Sequence, residues 1–110
     1  MTFEEYIEKC KRTYTWQGLK DLEVHMLCMG LAGETGEVID YLKKVGFQGH
    51  VLDIKKLKSE LGDVMWYFAM LCDFFNIKFE DVLEANIQKL LKRYPYGFNV
   101  ERSKNRESEE

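Results

Sequence analysis

The sequence has 110 residues, of which 45% are hydrophobic and 14% aromatic, which is enough for one compact domain with its own core. Its formal net charge of −3 gives no argument for a nucleic-acid surface. The longest apolar run, from Val64 to Cys72, is too short to span a bilayer, and the acidic N-terminus lacks the apolar segment of a signal peptide. We therefore expect neither a nucleic acid nor a membrane as partner.

The three cysteines indicate a reducing compartment. Cys10, Cys28 and Cys72 are odd in number, far apart in the sequence and not in the spacing of a metal site. They are predicted to be reduced thiols in the core of a cytoplasmic protein, since disulfides are rare there.

The chain contains one proline, and its apolar residues recur at helical intervals, which predicts an all-α, four-helix bundle-like domain. The first helix is predicted to begin at Thr2, with Glu5 in the capping-box position. A loop over 13–19 should follow it. The second helix is predicted to run from Asp21 or Leu22 to 45, with Gly46 as its C-cap.

Two longer apolar stripes are predicted to face the core. The stripe of the second helix comprises Val24, Cys28, Leu31, Thr35, Val38, Ile39 and Leu42. The third helix is predicted from Asp53, its N-cap, to about 75, with the stripe Ile54, Leu57, Leu61, Val64, Phe68, Cys72 and Phe75.

The third helix also carries Trp66 and Met70 on the face opposite its stripe, so it is apolar almost all round. A helix of that kind is buried on every side, and three neighbouring helices provide too little cover. We therefore predict a homo-oligomer, a tetramer first and a dimer as the alternative.

The fourth helix is predicted from Phe79 to Tyr94, where Pro95 stops it. Its residues predicted to face inward are Phe79, Val82, Leu83, Ile87, Leu90 and Leu91. From Glu101 onward the chain is charged and almost without apolar residues, which predicts disorder. The expected organisation is one domain over 1–98 and a flexible charged tail over 99–110.

Four acidic residues form two pairs with the same spacing. Glu34 and Glu37 lie in Gly-Glu-Thr-Gly-Glu, and Glu60 and Asp63 lie in Glu-Leu-Gly-Asp. Residues three apart share one face of a helix, and each pair is expected at the edge of its helix's apolar stripe. Four converging carboxylates must be protonated, spread into water or neutralised by a cation. Oxygen ligands suit Mg²⁺, with Mn²⁺ as the alternative.

Polar residues on the fourth helix complement these acids. Asn86, Lys89 and Arg93 flank its apolar stripe. Acids that hold a metal ion, together with an amide and two cations, describe a polyphosphate site. A carboxylate that is not a ligand can orient or deprotonate water, so the chemistry indicated is hydrolysis at phosphorus without a covalent intermediate.

The ordered motifs Gly-Glu-x-Gly-Glu, Glu-Leu-Gly-Asp-Val and Asn-x-x-Lys-x-x-x-Arg-Tyr-Pro resemble those of the MazG-type all-α nucleoside triphosphate pyrophosphohydrolases. The resemblance extends from about Leu22 to Phe98. It implies Mg²⁺-dependent cleavage between the α and β phosphates, with release of a nucleoside monophosphate and pyrophosphate. The implied metal ligands are Glu34, Glu37, Glu60 and Asp63, and the implied contacts to sugar, phosphate or pocket are Asn86, Lys89, Arg93, Tyr94 and Tyr67.

The chain departs from the family pattern at Gly33, where many members carry an additional glutamate. Either Glu34 or Glu37 could therefore act as the general base. Trp16, in the loop before the acidic helix, is a further candidate for a wall of the base pocket. Two alternative functions stay open, a related hydrolase acting on dUTP or phosphoribosyl-ATP and a helical oligomerisation or regulatory module that binds a nucleotide without turnover.

Overall fold

The computed structural model describes residues 1–105. Within them the chain forms five α-helices and no strand, which confirms the all-α prediction. The helices are α1 (Phe3–Cys10), α2 (Glu23–Phe47), α3 (Ile54–Phe74), α4 (Phe79–Arg93) and α5 (Val100–Lys104), with short 3₁₀ helices at Lys11–Thr13 and Lys20–Leu22. The chain divides into two compact units, Met1–Asn76 and the segment from Ile77 onward. None of the helices in the described part combines the length and hydropathy needed to cross a membrane.

Helix α1 begins as the sequence predicts. The Thr2 hydroxyl accepts a hydrogen bond from the Glu5 backbone N–H at 3.0 Å, and the Glu5 carboxylate accepts one from the Thr2 backbone N–H at 2.9 Å. This capping box satisfies two backbone donors that the first turn leaves unpaired. Hydrogen bonding of its carboxylate to the backbone and side chain of Thr2 also lowers the pKa of Glu5.

The core of the first unit lies where α1, α2 and α3 meet. Its buried cluster consists of Cys10, Leu27, Ala69 and Met70. Met70 is only 3% exposed and Trp66 is half-buried beside it, so the face opposite the predicted stripe does not need another subunit to cover it. The physical reason is α1, which packs on α3 and covers this second apolar face.

The apolar face of α2 is also rotated relative to the prediction. Its buried residues are Leu27 and Tyr41, whereas Ile39, predicted to face the core, is 63% exposed. On α3, Ile54 and Leu61 are exposed although they belong to the predicted stripe. Both helices contain more apolar positions than one face can hold, so periodicity alone did not determine which face is buried.

The connection between α2 and α3 is held by the buried Tyr41. Its hydroxyl accepts a hydrogen bond from the Asp53 backbone N–H at 2.8 Å. Asp53 in turn caps α3, because its carboxylate accepts from the Lys55 N–H at 3.0 Å. The predicted N-cap is therefore confirmed, whereas Gly46 lies inside α2 and is not its C-cap.

Replacing Tyr41 by phenylalanine should destabilise the protein by about 1 kcal/mol, because the partly buried hydrogen bond from the Asp53 backbone N–H is lost. The measurement is the free energy of unfolding in urea. Tyr96→Phe is the matched control, since Tyr96 is fully exposed and loses the same hydroxyl. Equal midpoints for the two variants would contradict this role of Tyr41.

In the second unit, α4 ends at Arg93, two residues before Pro95. Phe79 is buried. Most of the other residues that were predicted to face inward are exposed, namely Leu83, Ile87, Leu90 and Leu91.

The chain after α4 is helical where disorder was predicted. Asn99 caps α5 by accepting a hydrogen bond from the Arg102 N–H, and the Arg102 guanidinium donates to the carbonyl oxygen of Arg93 at 2.6 Å. The predicted tail is therefore wrong for the first residues after 100, because a cap and a tertiary hydrogen bond offset the missing apolar contacts. Residues 106–110 lie outside the described part.

All three cysteines are free thiols. Cys10 and Cys72 are buried as predicted, but Cys28 is exposed, because the face of α2 that carries it is not the buried one.

Candidate functional site

Carboxylates from α2 and α3 converge on one point. Oxygen atoms of Glu34, Glu60 and Asp63 all lie within 4.8 Å of one another. Glu34 and Glu60 are half-buried, and Asp63 is exposed at the rim. Glu37, one turn after Glu34, is exposed and does not belong to this group.

The position of Glu34 follows from the face that α2 buries. Leu27, Glu34 and Tyr41 are seven residues apart, which is close to two full turns, so they share one face. Leu27 and Tyr41 are buried on that face. Glu34 therefore lies within the packed face of α2, and not at its edge as predicted, which places a carboxylate where packing would favour an apolar side chain.

This location has an electrostatic cost. Burial is the largest cause that raises the pKa of Glu34, followed by the charges of Asp63, Glu60 and Glu37. At an effective dielectric of about 20, two carboxylate charges about 5 Å apart repel by roughly 3–4 kcal/mol, which water around the exposed Asp63 reduces. The charged groups that act on Glu34 are thus all carboxylates, and a divalent cation would relieve this repulsion.

The donor set fits a hard divalent cation. It consists of oxygen atoms only, from at least three carboxylates on two helices that pack against each other. Oxygen-only sites of this kind suit Mg²⁺ or Mn²⁺ better than softer metals. Glu34, Glu60 and Asp63 are the residues that would hold the ion.

The shifted pKa of Glu34 leads to a pH-dependent prediction for Glu34→Gln. Below the ordinary value of 4.5, Glu34 is protonated in the folded and the unfolded protein, so both proteins should have similar stability. As the pH rises through the raised pKa, the wild-type side chain becomes charged among other carboxylates, and the metal-free wild type loses stability relative to the variant. Melting temperatures from pH 4 to 8 in EDTA test this.

Saturating Mg²⁺ provides the control. At neutral pH it should give wild type a higher melting temperature than Glu34→Gln, the reverse of the order in EDTA. A difference in melting temperature that does not change with pH in EDTA would contradict the electrostatic account of Glu34.

A groove opens beside the acids. It is lined by Thr13, Glu34, Asp63, Trp66 and Tyr67 and has a volume of about 360 Å³. The predicted pocket residue Tyr67 thus lies beside two of the acids. Thr13 and Trp66 were missed by the sequence reasoning, although Trp66, three residues after Asp63, shares its helix face.

Tyr67 is fixed by a close approach of α2. A Cβ atom added to Gly30 would lie 2.1 Å from the Tyr67 ring, so only glycine leaves room for it. At Gly33 and Gly36, by contrast, an added Cβ would meet nothing within 4 Å. Of these three glycines, Gly30 is thus the one that a close contact requires within residues 1–105.

The other predicted contact residues belong to the second unit. Asn86 and Lys89 line a second groove, on α4, together with Ile77, Asp81, Val82 and Ala85. Tyr94 packs against Phe98, with ring centroids 5.3 Å apart, and Arg93 is the last residue of α4.

Trp16 lies over its own loop. A Cβ added to Gly18 would come within 2.6 Å of the Trp16 ring. The Trp16 Nε1 is buried and has no hydrogen-bond partner in the part of the chain that the structure describes.

The fold and the carboxylate group together define an all-helical protein with a site suited to a divalent cation. The sequence matches the MazG nucleotide pyrophosphohydrolase domain over residues 23–98. The chain belongs to this family, and the predicted resemblance is confirmed.

Two curated relatives align with the chain. The Gene 37 protein of Mycobacterium phage L5 is 37% identical over 73 residues, which cover 63% of this chain and 64% of the relative. The protein named YvdC of Bacillus subtilis strain 168 is 37% identical over 43 residues, which cover 39% of this chain and 41% of YvdC. The chain thus spans less than two thirds of either relative. No solved structure matches it significantly.

Proposed function

We propose that this protein is a Mg²⁺-dependent nucleoside triphosphate pyrophosphohydrolase that releases a nucleoside monophosphate and pyrophosphate. The observation that carries the proposal is the convergence of Glu34, Glu60 and Asp63 within 4.8 Å, in a chain of the MazG family. Three carboxylates at this distance form an unfavourable arrangement unless a cation joins them. Non-standard or surplus nucleotides are the proposed substrates, and Mn²⁺ is the alternative ion.

We propose separate roles for the acidic residues and for the other residues of the site. Glu34, Glu60 and Asp63 would hold the ion, which when bound would withdraw negative charge from phosphate oxygens. Glu37 is exposed and outside this group, so it is the carboxylate that we propose as general base for the attacking water. The proposed contacts to sugar and phosphate are Asn86, Lys89, Arg93 and Tyr94, and the proposed pocket residues are Tyr67 and Trp16.

The test is incubation of the protein with a panel of nucleoside triphosphates that includes dUTP. Phosphoribosyl-ATP is tested as well, and each compound is incubated with Mg²⁺ and separately with EDTA. Separation of the products should reveal pyrophosphate and the monophosphate, only when Mg²⁺ is present. Glu37→Gln should lower kcat and leave KM nearly unchanged if Glu37 is the base. Release of orthophosphate alone would overturn the reaction assignment.

The alternative to an enzyme is a helical oligomerisation or regulatory module that binds a nucleotide without turnover. It predicts that a nucleoside triphosphate raises the melting temperature while no product forms with any member of the panel. The panel and the melting curves together distinguish it from an enzyme.

We also propose that the protein is a homo-oligomer, a tetramer in the first instance. The support is an exposed set of apolar side chains on α2 and α3, where Phe47 is 87% exposed. The set comprises Ile39, Leu42, Phe47, Ile54, Leu61 and Met65. Large exposed apolar patches are typical of protein–protein contacts, and these side chains are the ones that we propose for such a contact.

Sedimentation at micromolar concentration tests the assembly. Wild type should sediment as an oligomer, and Leu61→Glu should dissociate it, since a charge would be buried at the contact. A monomeric wild type would overturn the proposed assembly.

A further inference from the structure

The groove beside the acids is lined by two chemically different kinds of side chain. Glu34 and Asp63 are carboxylates, whereas Trp66 and Tyr67 contribute aromatic rings. Its volume, about 360 Å³, lies within the range of small-molecule sites. One turn of α3, about 5.4 Å of rise, separates Asp63 from these rings. A nucleotide has the same arrangement, since one sugar separates its charged phosphates from its flat base.

The indole of Trp66 is held from several sides. Its Nε1 donates a hydrogen bond to the Thr13 hydroxyl at 3.0 Å, and that hydroxyl donates to the Cys10 carbonyl oxygen at 3.1 Å. The Tyr67 ring packs edge-on against Trp66, with centroids 4.9 Å apart, and the Tyr14 ring lies 6.0 Å away. Thr13 thereby links the indole to the end of α1, so the ring is already fixed before a ligand binds.

Thr13 lies in a segment that the family match does not include. The match begins at residue 23, whereas Thr13 closes the 3₁₀ turn after α1. The N-terminal segment therefore contributes to this groove a wall that the matched domain alone does not provide. The proposed metal ligands all lie within the match, so this wall can contact a part of the nucleotide that the metal ion does not hold.

We propose that Trp66 is the residue that contacts the base of the nucleotide and that Thr13 positions its indole. The proposal rests on the function proposed above. Any of the bases can stack on an aromatic ring. A ring that is already fixed before binding loses little conformational freedom when the ligand binds. Trp16, which packs on Gly18, is the competing aromatic residue.

The two tryptophans can be observed separately, because the chain contains only these two. In Trp16→Phe the fluorescence reports Trp66 alone, and in Trp66→Phe it reports Trp16 alone. Each protein is titrated in Mg²⁺ with an α,β-methylene nucleoside triphosphate, which is not cleaved, and with inorganic tripolyphosphate, which has no base. The methylene analogue should quench Trp66 strongly, and tripolyphosphate should compete with it while quenching little.

Two outcomes would overturn the proposal. One is an equal response of Trp66 to both compounds, which would mean that only the metal-bound phosphates are sensed. The other is a response confined to Trp16. This titration needs no turnover, so it is distinct from the product assay, whose failure would concern the reaction and not the base contact.

Kinetic variants test the positioning role of Thr13. Trp66→Leu should raise KM for the triphosphate about ten-fold or more, with little change in kcat and in the inhibition constant of tripolyphosphate. Thr13→Val, which removes the hydroxyl at nearly constant shape, should raise KM in the same way, and Thr13→Ser should restore it. Tyr96→Leu is the control, since it removes a fully exposed aromatic ring.

A merely structural role of the pair predicts a different pattern. It would lower the melting temperature of Thr13→Val and weaken the binding of tripolyphosphate and of the nucleoside triphosphate equally. That result would overturn the assignment of the pair to the base.

Discussion

Replacing Asp63 by asparagine should abolish turnover and at the same time stabilise the metal-free protein. The variant keeps the shape of the side chain and removes one of three charges that lie within 4.8 Å. The gain in EDTA should be about 1 kcal/mol, because Asp63 is exposed and water screens part of the repulsion. Turnover should fall by more than the roughly 10- to 100-fold that loss of an outer-shell partner costs.

Thermal melts in EDTA and in Mg²⁺ measure both effects. In wild type, Mg²⁺ should raise the melting temperature, and Asp63→Asn should reduce this rise because ligand stabilisation follows affinity. Asp21→Asn is the matched control, since Asp21 is an exposed acid outside the site. A variant that melts lower in EDTA and keeps the full Mg²⁺ shift would show that Asp63 pairs with a cation or caps a donor.

Replacing Gly30 by alanine should destabilise the protein by about 1–3 kcal/mol, the usual cost of overpacking. The added Cβ would lie 2.1 Å from the Tyr67 ring. That ring cannot move freely, because it packs against Trp66. The same substitution should also raise KM, since Tyr67 lines the groove beside the acids.

Gly36→Ala is the matched comparison on the same helix. Nothing lies within 4 Å of its added Cβ, so the higher helix propensity of alanine should stabilise α2 by roughly 0.5–1 kcal/mol. Urea unfolding of both variants measures the difference. The double variant Gly30→Ala/Tyr67→Ala should recover part of the loss, and strict additivity would contradict the steric account.

The helical location of the two acidic pairs was predictable because its signal is local. A spacing of three places two carboxylates on one helix face. The cap at Asp53, the capping box at Thr2 and the stop before Pro95 are local as well. Such features depend on neighbouring backbone groups, which the sequence specifies directly.

The buried faces were harder to predict, because α2 and α3 are rich in apolar residues. Helix α1 covers the face with Met70, while Ile39 and Leu61, expected in the core, are exposed. The choice between two apolar faces depends on which neighbour packs there, and that neighbour is distant in sequence. For the same reason Thr13, 53 residues away from Trp66 in the sequence, could not be recognised as its hydrogen-bond partner.

By itself, the sequence determined that the protein is all-α, that it belongs to the MazG family and that two helices carry paired acidic residues as a candidate site. Helix periodicity, caps and motif order carry this information, since each is a short-range property of the chain. Only the tertiary structure decided that Glu34 lies within the packed face of α2, that Glu37 stays outside the group of three carboxylates, and that Thr13 and Trp66 form a wall beside them. The physical reason is that helix packing sets the rotation of each helix, and a rotation of one residue, about 100°, exchanges a buried side chain for an exposed one.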